Sequence, residues 1–215
     1  MTQNLWPVIA VAAIGYLIGS IPTAYFVSKL NRFNIFDVGS GNMGATNITR
    51  VLGVKWGLLV WFLDSMKGVG AVILTRDLLP DSRALATTLA AVMSIVGHNW
   101  SLYILTLTGK LRGGKGAATA FGTLFMVLPA HIIGIFLLVS SYFIARTRYM
   151  SLGVLILFTL CSLYTTLLVF QNHIDGIFAF YGIGLLVLIV YRFRENIQRL
   201  IDGTERRLFE GRTKA

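Results

Sequence analysis

A chain of 215 residues could hold one or two soluble domains, but 55% of its residues are hydrophobic, 13% are charged and its mean hydropathy is +0.72. No soluble fold of this size has enough interior to hide that much apolar surface, so the composition excludes the soluble classes and predicts an all-α integral membrane protein. The net charge of +10 comes without the aromatic-interleaved basic patch of a nucleic-acid binder, and no nucleic-acid partner is expected; it reads as a topology signal and an attraction to anionic lipid.

The opening "MTQNLWPVIA" has no basic n-region, and no small-residue cleavage site follows its apolar run, so 5–29 is predicted as a retained transmembrane helix and not a signal peptide. The stretch "DVGSGNMGATNITR" at 37–50 then interrupts the apolar pattern. Its Gly39, Gly41 and Gly44 fit G-x-G-x-x-G, and Asp64 stands twenty residues beyond Gly44. The dinucleotide fingerprint nevertheless requires a preceding strand and a βαβ unit, which a chain of membrane helices does not supply.

The next apolar stretch, 57–75, carries Asp64 and Lys67 at i, i+3. Charges in lipid are costly and mark either function or a pair facing the bundle; a structural pair beneath a site is the reading taken. A further stretch runs from Ala84 to about Thr108, interrupted by Gly97, His98 and Asn99. The loop "GKLRGGKGAAT" follows, where Gly109 to Lys115 fits G-x-x-x-x-G-K but position 116 is glycine instead of the Ser or Thr that a nucleotide P-loop needs for magnesium. Nucleotide binding is not expected.

The segment 116–145 would make a helix of about 45 Å, longer than a membrane core, and Pro129 lies near its middle. Lys110, Arg112 and Lys115 precede it and Arg146 and Arg148 follow it; the positive-inside rule puts both clusters in the cytoplasm, so two short helices broken near Pro129 are predicted. Two more spans, 151–170 and 177–193, complete about seven transmembrane helices in a single domain over 1–215, with the N-terminus outside and the C-terminus cytoplasmic. All lysines and arginines except Lys67, Arg76 and Arg83 then lie on the inside. The single cysteine, Cys161, is mid-helix and unsuited to a disulfide framework or a nucleophile.

In this topology the polar segments 30–56, 98–116, 146–150 and 192–215 share one face. Glycines let backbone N–H groups approach an anion, a helix starting just afterwards presents its positive end, and a lysine or arginine adds full charge; two phosphate-sized sites on one face is one reading, and tight turns beside topology-setting cations is the other. At the end of the last helix, Arg192, Asn196 and Arg199 fall at i, i+4 and i+7 and share a face if helical, either as part of a site or as an amphipathic anchor.

Three stretches together, "GSGNMGATN..R" (39–50), "GH" (97–98) followed by "GGKGAAT" (113–119), and "RENIQRLIDGTE" (194–205), resemble the signature regions of the bacterial acyl-phosphate:glycerol-3-phosphate acyltransferases. "LDSMKG" (63–68) and "TRYMSL" (147–152) also resemble family segments, so the likeness spans nearly the whole chain. It implies a seven-helix enzyme of the bacterial inner membrane, its active site at the cytoplasmic face, that moves a fatty acyl group from acyl-phosphate to the 1-hydroxyl of sn-glycerol 3-phosphate. The products would be lysophosphatidic acid and phosphate, the first step of phospholipid synthesis. Its partners would be these substrates, membrane lipid and the soluble phosphate acyltransferase that makes acyl-phosphate.

Carried onto this chain, the resemblance implies Ser40 positioning the reacting phosphate or carbonyl, Arg50 clamping a phosphate, Lys115 neutralising phosphate charge beside Gly113 and Gly114, and Asn196 as an orienting donor. Gly39, Gly41, Asn42, Gly44, Thr46, Asn47, His98 and Arg192 complete the expected binding set. The family pattern Arg-His-Arg is here Arg192-Phe193-Arg194, Ser101 stands where a proline is usual, and the stretch between His98 and Lys115 is longer. A paralogue with another acceptor, or a small transporter with glycine-interrupted helices, stays open as an alternative.

The residues fit a reaction that leans on its substrates. Five positions after His98, His131 and His173 stand Tyr103, Phe136 and Phe178, so no H-x4-D motif exists. No cluster has zinc-ligand spacing and no Ser–His–Asp arrangement is evident; neither metal nor cofactor is expected. Direct attack by the acceptor hydroxyl, with a substrate phosphate oxygen taking the proton, is the predicted chemistry.

Overall fold

Helices account for nearly all regular structure in the computed structural model, which describes residues 5–208. They are α1 (Trp6–Ser20), α2 (Thr23–Leu30), α3 (Ala45–Leu52), α4 (Val54–Thr75), α5 (Arg83–Asn99), α6 (Leu102–Thr108), α7 (Ala117–Leu124), α8 (Ala130–Thr147), α9 (Met150–Phe170) and α10 (Phe178–Ile201). Among the described residues, five stretches are long and apolar enough to cross a membrane: Trp6–Leu30, Val54–Leu78, Pro80–Thr108, Ala130–Thr147 and Met150–Phe170. Their outward surfaces carry large apolar residues such as Phe26, Leu74, Leu107, Leu138 and Leu163.

The expected break near Pro129 falls between Leu124 and Ala130, with Pro129 preceding α8 as its N-cap. It divides the segment unequally, because α7 has 8 residues and spans only about 12 Å. The span 177–193 continues as one helix to Ile201, so its last turns carry Arg192, Arg194, Glu195 and Arg199.

α5 occupies the centre, packed against α1, α4, α7 and α10. Its sequence allows this because Ala86, Ala90, Ala91, Ser94 and Gly97 are small and buried. Small residues let backbones approach closely where lipid gives no hydrophobic drive to helix association. At the α1 crossing the approach is complete: a Cβ on Gly19 would strike the backbone of Ser94, and one on Gly97 would strike the carbonyl of Tyr16.

Two helix breaks face each other in this bundle. Sequence hydropathy reads 5–29 as one helix, but Pro22 ends α1 at Ile21 and α2 restarts at Thr23. The second break lies at Trp100 and Ser101, just after the predicted interruption at 97–99. Freed carbonyls in a membrane need partners. The Ser101 hydroxyl donates to Ser20 O at 2.5 Å and accepts from Ile104 N at 3.2 Å, Tyr16 Oη donates to Trp100 O at 2.7 Å, and the buried Lys67 ammonium donates to Ile21 O at 2.9 Å. Ser101 therefore caps α6 and closes α1, and a proline, with no side-chain hydroxyl, could do neither. Lys67 also pairs with Asp64 at 2.9 Å, so the predicted buried ion pair faces the bundle.

Candidate active site where three polar segments meet

The loop after α2 is built around one side chain. Asn47 is 2% exposed; its Oδ1 accepts from Ser40 N at 2.9 Å, and its Nδ2 donates to Ile35 O, Val38 O and Asn42 O at 3.3, 3.1 and 3.1 Å. Gly39 and Gly41 have φ of 61° and 65°, which favour glycine, and a Cβ at Gly39 would collide with the Asn47 amide. Buried Ile35, Met43 and Ile48 pin the loop to a core that includes Val60 of α4. Asn47, expected within the binding set, commits its amide to the loop's own backbone. The loop in turn presents Ser40 at the surface with, among the described residues, no partner for its hydroxyl. Gly44 is the N-cap of α3 with no side-chain cap, and half-buried Thr46 lies on the first turn. Arg50, also half-buried on α3, has its pKa lowered by burial and by neighbouring Arg206.

The second loop lies over the break between α5 and α6. Gly114 N donates to His98 O at 3.0 Å, and Ser101 N donates to Arg112 O at 3.3 Å. Side chains at Gly113 and Gly114 would strike the His98 carbonyl and the His98 ring respectively, and one at Gly114 would also meet the Met43 carbonyl of the first loop. His98 is 3% exposed, with Nδ1 3.8 Å from Asp64 Oδ1. It is buried beneath the glycines and supports them from below. Arg112 stacks on Phe36 at 3.5 Å, a second junction between the loops. α7 starts after Gly116 with no side-chain cap, so each glycine loop runs into an uncapped helix N-terminus.

The third segment completes the site by turning back. Gly203, with φ 69°, follows α10, and Thr204 N and Gly203 N donate to Arg199 O and Leu200 O at 2.8 and 3.4 Å, a Schellman closure. This reversal returns Glu205 to the helix. Glu205 Oε1 accepts from Ser151 Oγ at 2.8 Å and Asn196 Nδ2 at 2.7 Å, while Oε2 accepts from Arg199 Nε at 2.8 Å. Burial raises its proton affinity, but these hydrogen bonds and Arg199 outweigh burial and hold the carboxyl below its usual range.

Lys115 donates to Asn196 Oδ1, so lysine, asparagine and carboxylate form one chain from the second loop into the third segment. Arg192 Nη2 donates to Gly114 O at 2.6 Å, and Arg206 Nη1 donates to Gly39 O at 3.1 Å. Burial and the charge of Arg199 lower the Lys115 pKa to about 8, with Glu205 and Glu195 acting in the opposite sense.

The structure thus gathers Ser40, Arg50, Lys115, Arg192 and Asn196 with both glycine loops at one end of the bundle. Sequence reasoning misses Glu205, Ser151 and Arg206, although the Asp202-Gly203 pair is a turn signal that returns the chain at that point. Arg50, Lys115, Arg199 and Arg206 surround Glu205, so the basin carries an excess of positive charge. It can hold a phosphate-bearing molecule between two helix N-termini and several cations.

These features define an all-helical integral membrane protein whose glycine loops and cationic side chains gather at one end. A family model for glycerol-3-phosphate acyltransferase matches residues 9–203. The glycerol-3-phosphate acyltransferase of Halalkalibacterium halodurans is 40% identical over 201 residues, 93% of each chain, and that of Aquifex aeolicus is 39% identical over 193 residues, 89% of this chain and 94% of its own. The crystal structure of PlsY (YgiH), an integral membrane glycerol 3-phosphate acyltransferase, in its glycerol 3-phosphate form, matches with a TM-score of 0.79 at 34% identity and covers 93% of this chain and 94% of that one. Its lysophosphatidic acid form matches with a TM-score of 0.78. The chain belongs to the glycerol-3-phosphate acyltransferase family.

Proposed function

We propose that this protein transfers a fatty acyl group from acyl-phosphate to the 1-hydroxyl of sn-glycerol 3-phosphate, giving lysophosphatidic acid and inorganic phosphate. The names of its relatives supply the acceptor. The observation that carries the rest is the excess of cations around Glu205, where three polar segments converge and both phosphates of such a reaction could be held.

Lys115 and Arg50 clamp phosphate charge, the N–H groups of the two glycine loops and the starts of α3 and α7 add to the field, and the free Ser40 hydroxyl orients the reacting phosphate or carbonyl. Asn196 holds Lys115, and Glu205 holds Asn196 and Arg199. Asn47 and His98 maintain the loops.

The acceptor oxygen attacks the acyl carbon, the bond from that carbon to the phosphate oxygen breaks, and the hydroxyl proton passes to a substrate phosphate oxygen. Phosphate is a good leaving group, so the protein contributes proximity and charge stabilisation.

In the cell the protein crosses the bacterial inner membrane seven times, N-terminus outside, with this site at the cytoplasmic face. There glycerol 3-phosphate arrives from water, and the soluble phosphate acyltransferase supplies acyl-phosphate. The sidedness of the basic residues supports this placement.

The test is release of phosphate and formation of lysophosphatidic acid by the purified protein given palmitoyl-phosphate and glycerol 3-phosphate. Turnover lost in both Lys115→Ala and Ser40→Ala is expected. Folded wild-type protein without turnover would refute the reading.

A further inference from the structure

We propose that Phe193 is a positioning residue for Lys115: its ring fixes the ammonium as a cation that no carboxylate neutralises. The inference rests on the acyl-transfer reading above. Phe193 is 6% exposed and belongs to the same buried core as Phe158 and Ile189, so its ring is fixed. Lys115 Nζ lies 4.9 Å from the ring centroid, and its other side donates to Asn196 Oδ1, one turn along the same helix.

The partners of Lys115 are therefore an aromatic face and an amide oxygen. Among the described residues it makes no ion pair; of the two nearby carboxylates, Glu205 is occupied by Ser151, Asn196 and Arg199, and Glu195 forms no salt bridge with it. A lysine paired with a carboxylate would offer a phosphate little net charge. An aromatic ring stabilises a cation through its quadrupole while adding no charge of its own.

The balance at this position is close. Lys115 is half-buried and faces Arg192, Arg199 and Glu195 on α10, Glu205 beyond it, and His98 beneath the adjoining glycine. Burial, with Arg199, already brings its pKa down to about 8, so loss of the ring's attraction moves its titration toward neutrality. The phenylalanine that departs from the resembled Arg-His-Arg pattern thus sets the pH range over which Lys115 is charged.

The decisive experiment titrates Lys115 in the purified full-length protein with native Phe193, with difluoro- or trifluorophenylalanine at that position, and in F193L. Fluorination keeps the ring's shape while withdrawing the negative charge from its face. Competitive amine acetylation read by mass spectrometry reports the Lys115 pKa, and kcat/KM for glycerol 3-phosphate across pH reports its consequence. The pKa and the alkaline limb should move together to lower pH in the order native, difluoro, trifluoro, F193L, by about half a pH unit to one pH unit in total.

An unordered or absent shift in Lys115 labelling would overturn the proposal. If F193L does not fold, the fluorinated proteins decide. Labelling shifts in the expected order without turnover would uphold the Lys115–Phe193 coupling and refute the acyl-transfer reading instead.

Discussion

Gly114→Ala adds one methyl group at the junction of all three polar segments. An ideal Cβ there would lie under 3.0 Å from the His98 ring and from the Met43 carbonyl, whereas ordinary contact begins at 3.4 Å. Neither neighbour can yield easily. His98 and Met43 are 3% and 1% exposed, and the His98 carbonyl already accepts the Gly114 N–H at 3.0 Å. The part that moves is the loop carrying Lys115, by about an ångström, and a displacement of that size in a positioned group costs roughly 100-fold in rate. That corresponds to about 2.7 kcal/mol at the transition state. Overpacking should cost a further ~1–3 kcal/mol of stability. The assay is kcat/KM with palmitoyl-phosphate and glycerol 3-phosphate, accompanied by thermal unfolding in the same detergent. A folded G114A protein within about threefold of the wild type would show that the crowding seen at Gly114 does not control Lys115.

In the wild type, kcat/KM for glycerol 3-phosphate should fall as pH rises through about 8, because the Lys115 ammonium is lost; bound phosphate should raise that pKa and move the limb of kcat to higher pH. The same depression has an opposite sign for folding: charged Lys115 costs stability below about 8, and thermal stability should gain from this group between there and 10.5. Glu205→Ala should destabilise by about 1–3 kcal/mol in a denaturant titration, since it leaves the buried Asn196 and Ser151 donors without their acceptor and half-exposed Arg199 without its partner. The Glu205 carboxylate's own contribution is present above the ordinary value of 4.5 and fades as pH falls through its lower folded value. Asn47→Asp keeps the acceptor for Ser40 N but removes the donor to three carbonyls, and should lower Tm and activity together by about 2–3 kcal/mol of stability; a fall in activity alone would return Asn47 to the ligand set.

Hydropathy locates the apolar spans, and the one-sided polar loops point to a single site, because both depend on side chains that declare themselves locally. The breaks are less legible. Pro22 is visible in the sequence, but whether a helix ends there depends on what receives its freed carbonyls. Those partners, Lys67 and Ser101, come from helices far along the chain. By length the stretch before Pro129 suffices for a short span, yet only 8 residues of α7 are helical, since Gly116 fixes its start and the turn before Pro129 its end.

The roles of the asparagines make the same point within the site. Asn47 and Asn196 each sit in a polar segment beside glycine or arginine, and by pattern each should face substrate. An amide that binds a loop and an amide that binds a ligand require the same donors at the same spacing, so sequence pattern cannot separate them. What separates them is the surrounding geometry. Asn47 is enclosed by four backbone groups of its own loop, whereas Asn196 links Lys115 of the second loop to Glu205 of the third segment. Replacing the first should therefore unfold a loop, while replacing the second should leave the fold and release the cation on which the chemistry depends.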